Sequence, residues 1–518
     1  MKVSVTFSLL IALAQAATFK ADIRADSNRD GKVDTEGSSD LGKGKETWSE
    51  EVGALFLPNI GDTSDRCREL HEAQPAALLG IDARGPRGYL VAEIDDDGNS
   101  KTDKVRPWDG RVTVQFIVTD GETNSTDSVM LRVAPLVTQT TLQRVTKIFS
   151  YDPTDTEEYK DLFAGVEASA KKAGIEEPVQ QTFGQKGFIQ DLFETMQASI
   201  PGPEGTVISL PIILPAPTTY RSSQAAQAVA RSIRSTGVGM VTDVQPQGSN
   251  EETLDAMGDL ETIPPYEFNG KNFSAGRIVM GANQTAGRVP LSLPFLQAQE
   301  MQDPLLIDTM WLEIQHVDEF LQFLPAKTSQ TSRKWRVMVS DPLAALEILQ
   351  GAQAEGHGND TFTTYPAGNR YTVDTVDQVL GDGSFAKTNE ECARRIQGVL
   401  DVLKAETGIT EDDIFRVPVL YKIIDKPKIP SNGDFRVGAV YPNAINGLVL
   451  NDWLYVAPKQ WAVVNATGTD PMQYTVEMAY EKAGYKVDFV DDWEVHLVNG
   501  DIHCVTNVFR ELPGPMPA

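Results

Sequence analysis

Short apolar runs separated by Gly, Asp and Pro fill the first part of the chain, from about residue 22 to residue 135. Runs such as 111–118 and 129–133 mix β-branched and aromatic residues with polar ones, which predicts β-strands. No convincing amphipathic helix pattern interrupts them. Strands at these intervals are typical of a β-sandwich of about 110 residues, so we predict one all-β domain here.

A different pattern follows residue 135, where strand-like and helix-like runs alternate. Residues 207–214 and 335–340 are mainly apolar and predict buried strands, whereas 342–354 and 386–406 place leucines, isoleucines and valines at helical spacing. Alternation of strands and helices over about 380 residues predicts one large α/β domain, or several units around a common centre.

Composition is that of an ordinary globular protein with a strong negative charge. Of the 518 residues 41% are hydrophobic and 23% charged, and at roughly 150 residues per domain this length predicts about two to four domains. The 46 basic and 73 acidic side chains give a net charge of −27. This acidity argues against a nucleic-acid partner and favours cations, either divalent metals or substrates with a guanidinium or ammonium group.

Residues 1–16 predict a secretory signal peptide. Lys2 is followed by an apolar run over 3–14 and by the small-x-small cleavage site Ala14-Gln15-Ala16. The run is shorter than the about 20 residues of a spanning helix and no later stretch qualifies, so we expect a secreted protein without a membrane span. Five sequons agree with a secretory route and predict a glycoprotein: Asn124, Asn272, Asn283, Asn359 and Asn465.

Cysteine is rare, which excludes a disulfide scaffold. The three cysteines are Cys67, Cys392 and Cys504, and an odd number in a secreted chain leaves at least one thiol unpaired. If Cys67 and Cys392 form a disulfide, Cys504 is the free thiol. The sequence leaves that pairing open.

An acidic loop near the N-terminus predicts a calcium site. Asp26, Asn28 and Asp30 alternate before Gly31, and this spacing supplies several of the roughly six to eight oxygens that Ca²⁺ prefers. The Glu of a complete EF-hand loop is absent, so the other ligands must come from elsewhere in the chain, with three candidates: Asn59, Asp62 and Asp65. The alternative is a solvated turn rich in Asp and Asn, which is the better explanation for residues 95–99.

A candidate nucleophile lies near the C-terminus. Asn499-Gly500 between two alternating runs predicts a two-residue hairpin. Cys504 would then lie on the returning strand. A lone cysteine is usually an inert core residue, but the polar neighbours His503, Thr506 and Asn507 make this one a candidate for chemistry.

His316 and Asp318 are its candidate partners. If the chain is extended there, both side chains point to the same side and place a proton-shuttling imidazole beside a carboxylate that can hold a cation. The alternative is that His316 is a hydrogen-bonded core residue and Asp318 a helix N-cap. His503 adjoins Cys504, but neighbours on a strand face opposite sides, so we favour His316 as the base.

Several motifs, in the same order along the chain, resemble those of the peptidylarginine deiminases, which convert protein arginine to citrulline. Residues 26–34 and 127–135 are similar to parts of the family's middle domain. Stretches similar to those of its catalytic domain are Phe188-Ile189-Gln190-Asp191, His316-Val317-Asp318-Glu319-Phe320, Glu355-Gly356-His357-Gly358, Tyr441-Pro442-Asn443 and His503-Cys504-Val505-Thr506-Asn507-Val508.

The resemblance implies a two-domain α+β protein. After the signal peptide 1–16, residues 17–137 would form an Ig-like, calcium-binding β-sandwich of the family's middle type. Residues 138–518 would form the catalytic domain, a five-bladed α/β propeller of the pentein, or guanidine-modifying enzyme, fold. The resemblance covers essentially the whole mature chain but lacks the extra N-terminal domain of the vertebrate enzymes, and it leaves the oligomeric state open.

The resemblance also implies roles for individual residues of the active site. Cys504 would be the nucleophile and His316 the general acid and base, while Asp191 and Asp318 would grip the substrate guanidinium. Two further residues would contact the substrate, namely Arg221, on its backbone, and Phe188, which stands where the family has a tryptophan.

Calcium is the cofactor that the resemblance implies. The family's site in the catalytic domain maps onto the side chains of Gln190, Glu194 and Glu261. Met257 and Leu260 would contribute carbonyl oxygens to the same site. Leu192 and Pro215 stand where acidic ligands of a second site are expected, so we expect that site to be absent.

The favoured function is therefore calcium-dependent hydrolysis of protein or peptidyl arginine to citrulline and ammonia through a thiouronium intermediate on Cys504. One alternative is a non-catalytic, calcium-binding extracellular module with a deiminase-like domain. A second is a deiminase of small guanidino compounds. A third, a cysteine hydrolase of peptide bonds, is disfavoured because two buried carboxylates beside the thiol would suit a cation and repel a peptide oxyanion.

Overall fold

The computed structural model describes most of the chain beyond residue 19. The described ranges are 20–57, 109–120, 123–151, 159–182, 188–217, 223–235, 237–241, 253–283, 287–326, 333–366, 374–424, 435–465 and 467–513, with the backbone of 88–94. Outside them lie the predicted signal peptide, Asn59, Asp62, Asp65, Cys67 and Arg221. Two compact units are present, the first containing mainly the described residues up to Pro135 and the segment Ala198–Leu210, the second those in Leu136–Gln197 and Pro211–Leu512.

The first unit contains a four-stranded sheet. Its strands are β1 (Ala54–Phe56), β2 (Gly88–Ile94), β3 (Arg111–Asp120) and β4 (Thr123–Val133), in the order β1-β4-β3-β2 with β1 parallel to β4. Val114, Phe116 and Val118 of β3 are buried at alternate positions, so one face of the sheet packs on an apolar core. The strands predicted at 111–118 and 129–133 are confirmed. The Ig-like sandwich stays a prediction.

The remaining strands are short. In chain order they are β5 (Leu136–Thr138), β6 (Val145–Tyr151), β7 (Gln180–Thr182), β8 (Phe193–Pro201), β9 (Val207–Pro215), β10 (Gly239–Met240), β11 (Leu260–Ile263), β12 (Tyr266–Phe268), β13 (Lys271–Phe273), β14 (Arg277–Gly281), β15 (Leu305–Ile307), β16 (Leu321–Pro325), β17 (Trp335–Asp341), β18 (Ile414–Pro418), β19 (Tyr421–Ile423), β20 (Val437–Ala439), β21 (Leu448–Val449), β22 (Leu454–Pro458), β23 (Lys486–Val490) and β24 (Thr506–Arg510). The strands predicted at 207–214 and 335–340 are confirmed as β9 and β17.

Helices alternate with these strands. They are α1 (Lys160–Lys172), α2 (Ser223–Ile233), α3 (Leu293–Ala298), α4 (Pro342–Ala352), α5 (Val376–Gly381), α6 (Gly383–Thr407), α7 (Pro471–Lys482) and α8 (Trp493–His496). Single 3₁₀ turns occur at Ser39–Leu41, Lys43–Lys45, Gln190–Leu192, Pro203–Gly205, Thr253–Asp255, Met257–Asp259, Val317–Glu319 and Glu411–Asp413, and a π-turn at Gln353–His357. The mixed α/β character predicted after residue 135 is confirmed.

The two helices predicted from periodicity form for identifiable reasons. Pro342 begins α4 behind Asp341, whose side chain accepts the Ala344 N–H as an N-cap. Helix α6 ends at Gly408, which adopts φ +69 as a left-handed C-cap. Cys392 lies inside α6 as a buried free thiol. Cys67 lies outside the described residues, so the pairing of these two cysteines stays open.

Four three-stranded sheets of the described chain share one pattern, in which the central strand has an antiparallel neighbour on one side and a parallel neighbour on the other. Their orders are β11-β14-β15, β16-β17-β18, β21-β22-β23 and β24-β6-β7. Another sheet has the order β10-β9-β8-β5, and β12-β13 and β19-β20 are two-stranded. Because β24 pairs with β6, the segment with Cys504 is fixed beside the first strands of its unit.

No helix in the described ranges combines the length and the apolar character that crossing a bilayer requires.

Candidate active site

Cys504 lies in a turn that leads into β24. The hairpin predicted at Asn499-Gly500, with Cys504 on its returning strand, is wrong because Trp493–His496 forms α8. Asn499 adopts φ +68 and its N–H donates to the carbonyl of His496, so Asn-Gly ends a helical turn here instead of joining two strands. Ile502 and Val505 on either side of the cysteine are buried in an apolar cluster, which anchors the turn.

The Cys504 thiol is held by Asn446. Cys504 is 6% exposed, and both its backbone nitrogen and its Sγ lie 3.3 Å from Asn446 Oδ1. Burial raises the pKa of the thiol well above its usual range, and the negative charges of Asp318 and Asp191 raise it further. A cation placed between the thiol and the two carboxylates would oppose this effect and favour the thiolate.

A cavity of about 550 Å³ opens on one side of Cys504. Its lining includes Asn446 and Tyr441 together with the acidic residues Glu319 and Asp501. Burial raises the pKa values of both acids well above their usual range, and neighbouring carboxylates add to the effect at each. A cavity with this lining favours a positively charged occupant.

His316 and Asp318 approach each other around a single 3₁₀ turn. His316 has an extended backbone, but Val317–Glu319 is helical, so the expectation of an extended chain through Asp318 is wrong, and so is the alternative of Asp318 as an N-cap. The His316 N–H instead donates to Glu319 Oε1 at 3.0 Å. Val317 is fully buried and anchors the turn, because an apolar side chain between two polar ones must enter the core.

His316 Nδ1, Asp318 Oδ1 and Asp191 Oδ1 lie close together and form a polar group of atoms that we call the socket. His316 Nε2 lies 3.2 Å from the carbonyl oxygen of Thr253, and because a carbonyl only accepts, this contact places the proton of the neutral ring on Nε2. Nδ1 lies 3.9 Å from both Asp318 Oδ1 and Asp191 Oδ1. Both Nδ1 and Asp318 Oδ1 are buried and have no hydrogen-bond partner among the described residues. Buried polar atoms in this state favour a ligand that can bond to them.

Asp191 reaches the socket from a third segment of the chain. It lies in the 3₁₀ turn Gln190–Leu192, immediately before β8, and its side chain is 26% exposed. Ile189 is fully buried beside it, and the Gln190 N–H donates to the Cys504 carbonyl at 3.1 Å. The structure therefore brings together all four residues for which catalytic roles were predicted.

Phe188, the predicted substrate neighbour, packs on the chain before Cys504. A Cβ atom on Gly500 would lie 2.3 Å from the Phe188 ring, so only glycine allows this approach. The other predicted substrate contact, Arg221, lies outside the described residues.

Gly258 is a site residue that the sequence analysis missed. A Cβ atom there would lie 2.5 Å from His316 Nδ1 and 3.1 Å from Asp318 Oδ2, so the backbone of the turn Met257–Asp259 packs directly against both side chains. Asn446 was also missed, although the Asn446-Gly447 pair is a turn signal close to the Tyr441-Pro442-Asn443 motif.

Four of the five predicted metal ligands of this unit line a second, small cavity of about 60 Å³, and Met257 lies beside it. Gln190 Nε2 lies 3.1 Å from Glu194 Oε2 and 3.4 Å from the Met257 carbonyl oxygen. Leu260 and Glu261 also line the cavity. The five predicted ligands thus lie close together.

The two carboxyl groups of the small cavity are strongly perturbed. Burial raises the pKa of Glu194 to about 8, with a further contribution from Glu261, and burial raises the pKa of Glu261 itself to about 7. Arg510 lines the same cavity, but its guanidinium donates to the carbonyls of Gln143 and Val449. Two buried acids with oxygen donors beside them fit a hard cation such as Ca²⁺.

In the described ranges no group of three or more His, Cys, Asp or Glu side chains is arranged to hold a metal ion. Of the five predicted ligands at the small cavity two are acidic, while the others offer an amide or a carbonyl.

The acidic loop of the first unit differs from the small cavity. Asp26 accepts the backbone N–H groups of Asp30 and Gly31, and Asn28 accepts that of Asp30. Asp40, which the sequence analysis missed, accepts the N–H groups of Ser27, Asn28 and Asp34 and holds the loop together. These are the bonds of an Asp- and Asn-rich turn. Calcium binding by the loop stays a prediction.

Comparisons with known proteins agree with the motifs. The family model described as protein-arginine deiminase (PAD) matches residues 123–513. The mouse protein-arginine deiminase type-4 is 29% identical over 391 residues, and the rat type-3 enzyme is 30% identical over 396 residues, each alignment covering 74% of this chain and 55% of the relative. The chain thus spans about half the length of these curated relatives.

Among solved structures, the agmatine deiminase of C. jejuni matches with a TM-score of 0.38 and 11% identity, covering 73% of this chain and 96% of that one. At that TM-score the likeness supports no conclusion. The match of the family model over most of the sequence does: this chain belongs to the protein-arginine deiminase family.

Proposed function

We propose that the protein hydrolyses the guanidinium group of arginine residues in proteins or peptides, giving citrulline and ammonia. The observation that carries the proposal is the socket formed by His316 Nδ1 and Asp318 Oδ1, two buried atoms to which no described residue bonds. Asp191 Oδ1 lies 3.9 Å from His316 Nδ1. A planar cation with several N–H donors satisfies such a socket, and Cys504 is close enough for the charges of both carboxylates to act on its thiol.

The socket would orient the substrate for attack. Guanidinium is a poor electrophile because its charge is delocalised, so it must be held rigidly in line with the sulfur. In the proposed reaction Asp191 and Asp318 accept its N–H groups and offset its charge. That charge in turn opposes the two carboxylates that raise the pKa of the thiol, so substrate binding itself promotes the thiolate of Cys504.

Cys504, His316 and a water molecule then carry out the reaction. The Cys504 thiol passes its proton to His316, and the resulting thiolate attacks the guanidinium carbon to give a tetrahedral adduct. His316 donates a proton to the departing nitrogen, the C–N bond breaks and ammonia leaves, which gives a thiouronium bound to Cys504. His316 next removes a proton from water, whose oxygen attacks the same carbon. The new hydroxyl gives its proton to the departing sulfur as the C–S bond breaks, so citrulline and the Cys504 thiol are released, and His316 returns its proton to solvent.

We also propose Ca²⁺ as the cofactor, bound by Gln190, Glu194 and Glu261 with the carbonyls of Met257 and Leu260. The bound ion would supply positive charge that keeps the two buried glutamates ionised. Gln190 shares a 3₁₀ turn with Asp191, so residues that hold the ion also hold the carboxylate of the socket. The predicted absence of a second site at Leu192 and Pro215 remains a proposal.

Secretion, the five-bladed propeller and the N-terminal sandwich belong to the same proposal. The four three-stranded sheets with a common pairing pattern support a propeller, because blades are repeats of one unit. Residues 17–137 and 138–518 remain the proposed domain bounds.

An assay of citrulline and ammonia with an arginine peptide, with and without Ca²⁺, tests the function. We expect calcium-stimulated turnover that falls by at least about a thousandfold in Cys504→Ala, because the nucleophile is lost. Cys392→Ala is the matched control, since that thiol is buried in α6. Absence of turnover in the wild type would leave the non-catalytic module, and turnover of agmatine or free arginine alone would replace peptides by small guanidino substrates.

A further inference from the structure

His503 lies between the socket and the small cavity. Its Nδ1 is 2.8 Å from Asp318 Oδ2, and its Nε2 is 4.0 Å from Glu261 Oε1. The two carboxylates thus face opposite nitrogens of one rigid ring. Asp318 and His503 are 185 positions apart, so this contact is a product of the fold.

The hydrogen bond from His503 fixes which oxygen of Asp318 is available. A carboxylate only accepts, so the Nδ1–H of His503 donates to Oδ2. Oδ1 has no hydrogen-bond partner in the part of the chain that the structure describes, and it lies 3.9 Å from His316 Nδ1. If Oδ2 were released, the carboxylate could turn about its side-chain torsions, and the oxygen of the socket would lose its position.

The other edge of the ring faces the proposed metal ligands. Glu261 and Glu194 line the small cavity, and His503 and Asp318 line the same cavity. Any movement of the Glu261 carboxylate toward a bound cation changes the surroundings of His503 Nε2. Because the imidazole is rigid, that change reaches the ring edge that holds Asp318.

We propose that His503 is a positioning residue that couples the small cavity to the socket, so that cation binding by Glu194 and Glu261 and guanidinium binding by Asp318 favour each other. The inference rests on the proposed function, since it takes the socket as the guanidinium site. It assigns His503 no contact with substrate and no part in proton transfer.

Coupling between two sites is reciprocal, which allows a test without turnover. In Cys504→Ala protein, Ca²⁺ affinity is measured by titration calorimetry with and without saturating benzoyl-arginine amide. We expect the arginine ligand to tighten Ca²⁺ binding by about 5- to 150-fold, the range typical of coupled sites. In Cys504→Ala/His503→Ala this factor should fall to about 1 while each ligand still binds alone.

Two conservative variants separate the two edges of the ring. The side-chain amide of His503→Asn can replace Nδ1 toward Asp318, whereas that of His503→Gln can replace Nε2 toward Glu261. We expect His503→Asn to keep most of the arginine affinity, His503→Gln to weaken arginine binding about as much as His503→Ala does, and both to lose most of the coupling. These variants also keep the test valid if His503→Ala does not fold.

His357→Ala is the matched control. His357 Nδ1 lies 2.6 Å from Asp360 Oδ2, so it has the same kind of carboxylate contact, but it lines neither cavity. Its variant should keep the full coupling factor. An unchanged factor in all His503 variants, or no coupling in Cys504→Ala itself, would overturn the inference and leave the function standing. Failure of Cys504→Ala to bind the arginine ligand at all would instead count against the proposed function.

Discussion

The two acidic regions of this protein show how differently oxygen-rich sequences behave once folded. In the loop of the first unit, the side-chain oxygens of Asp26 and Asn28 accept hydrogen bonds from backbone N–H groups of the loop itself. In the small cavity of the second unit, burial raises the pKa of Glu194 to about 8 and that of Glu261 to about 7. The loop has the more recognisable calcium-binding motif, but a cation would stabilise the ionised carboxylates of the cavity more strongly.

The difference lies in hydrogen bonding. Asp26 is half-buried and burial raises its pKa, but backbone N–H groups of the loop bond to both of its oxygens, so it gains less from a metal ion. A buried carboxylate without a counter-charge is either protonated or bound to a cation. Burial and charge, which only the fold determines, therefore identify the small cavity as the stronger candidate for a calcium site. Spacing along the chain identified the loop, which is the weaker candidate.

The largest expected effect comes from a substitution in the turn Met257–Asp259, whose backbone packs against His316. Gly258→Ala would place a Cβ atom 2.5 Å from His316 Nδ1 and displace the imidazole. We expect kcat/KM for an arginine peptide to fall by about 100-fold, because small misplacements of catalytic groups cost about that much.

The control for this change is Gly398→Ala in the middle of α6, where an added Cβ meets no atom within 4 Å. That variant should keep its activity and be slightly more stable, since alanine is the better helix former. Wild-type activity in Gly258→Ala would contradict the geometry of the socket. Circular dichroism of both variants distinguishes a local effect from unfolding.

Local patterns predicted the elements of this fold better than they predicted the site. The strand at β17 and the helices α4 and α6 follow from periodicity, because each buries one face against a core that the sequence marks with Ile, Leu and Val. The hairpin prediction at Asn499-Gly500 was wrong because this pair indicates a chain reversal but not whether a strand or a helix precedes it. The preceding segment, with the buried Trp493 and Val495, is a helix.

The site depends on contacts that no local pattern encodes. Asp191, His316 and Cys504 come from three distant segments, each anchored by a buried neighbour: Ile189, Val317 and Val505. A family motif can name such residues, but it does not reveal that His503 bonds to Asp318 or that Gly258 packs on His316. Those facts depend on distances across the fold.

The second prediction concerns the cavity and its protons. Ca²⁺ needs ionised carboxylates, so binding must release the protons that Glu194 and Glu261 hold below their pKa values of about 8 and about 7. Calorimetry in buffers of different ionisation enthalpy should find more than one proton released per Ca²⁺ near about pH 6, and almost none near about pH 9.5. Affinity should rise with pH across this window.

Glu261→Gln sharpens the same measurement. With one carboxylate left, Ca²⁺ affinity should fall by at least about tenfold and proton release near about pH 6 should not exceed about one. Release that is independent of pH in the wild type would mean that Ca²⁺ binds elsewhere.

The smallest expected effect comes from the loop, in Asp26→Asn. Asparagine can still accept the N–H groups of Asp30 and Gly31, so the turn should persist with a stability change of at most about 1 kcal/mol. Because the loop and the socket belong to different units, we expect the Ca²⁺ concentration for half-maximal turnover to stay within about twofold of the wild type, far less than in Glu261→Gln. A shift as large as that of Glu261→Gln would show that the loop, and not the cavity alone, controls calcium activation. Equilibrium dialysis of the variant then counts whether a bound ion has been lost, which separates a calcium site in the loop from a turn held by its own amides.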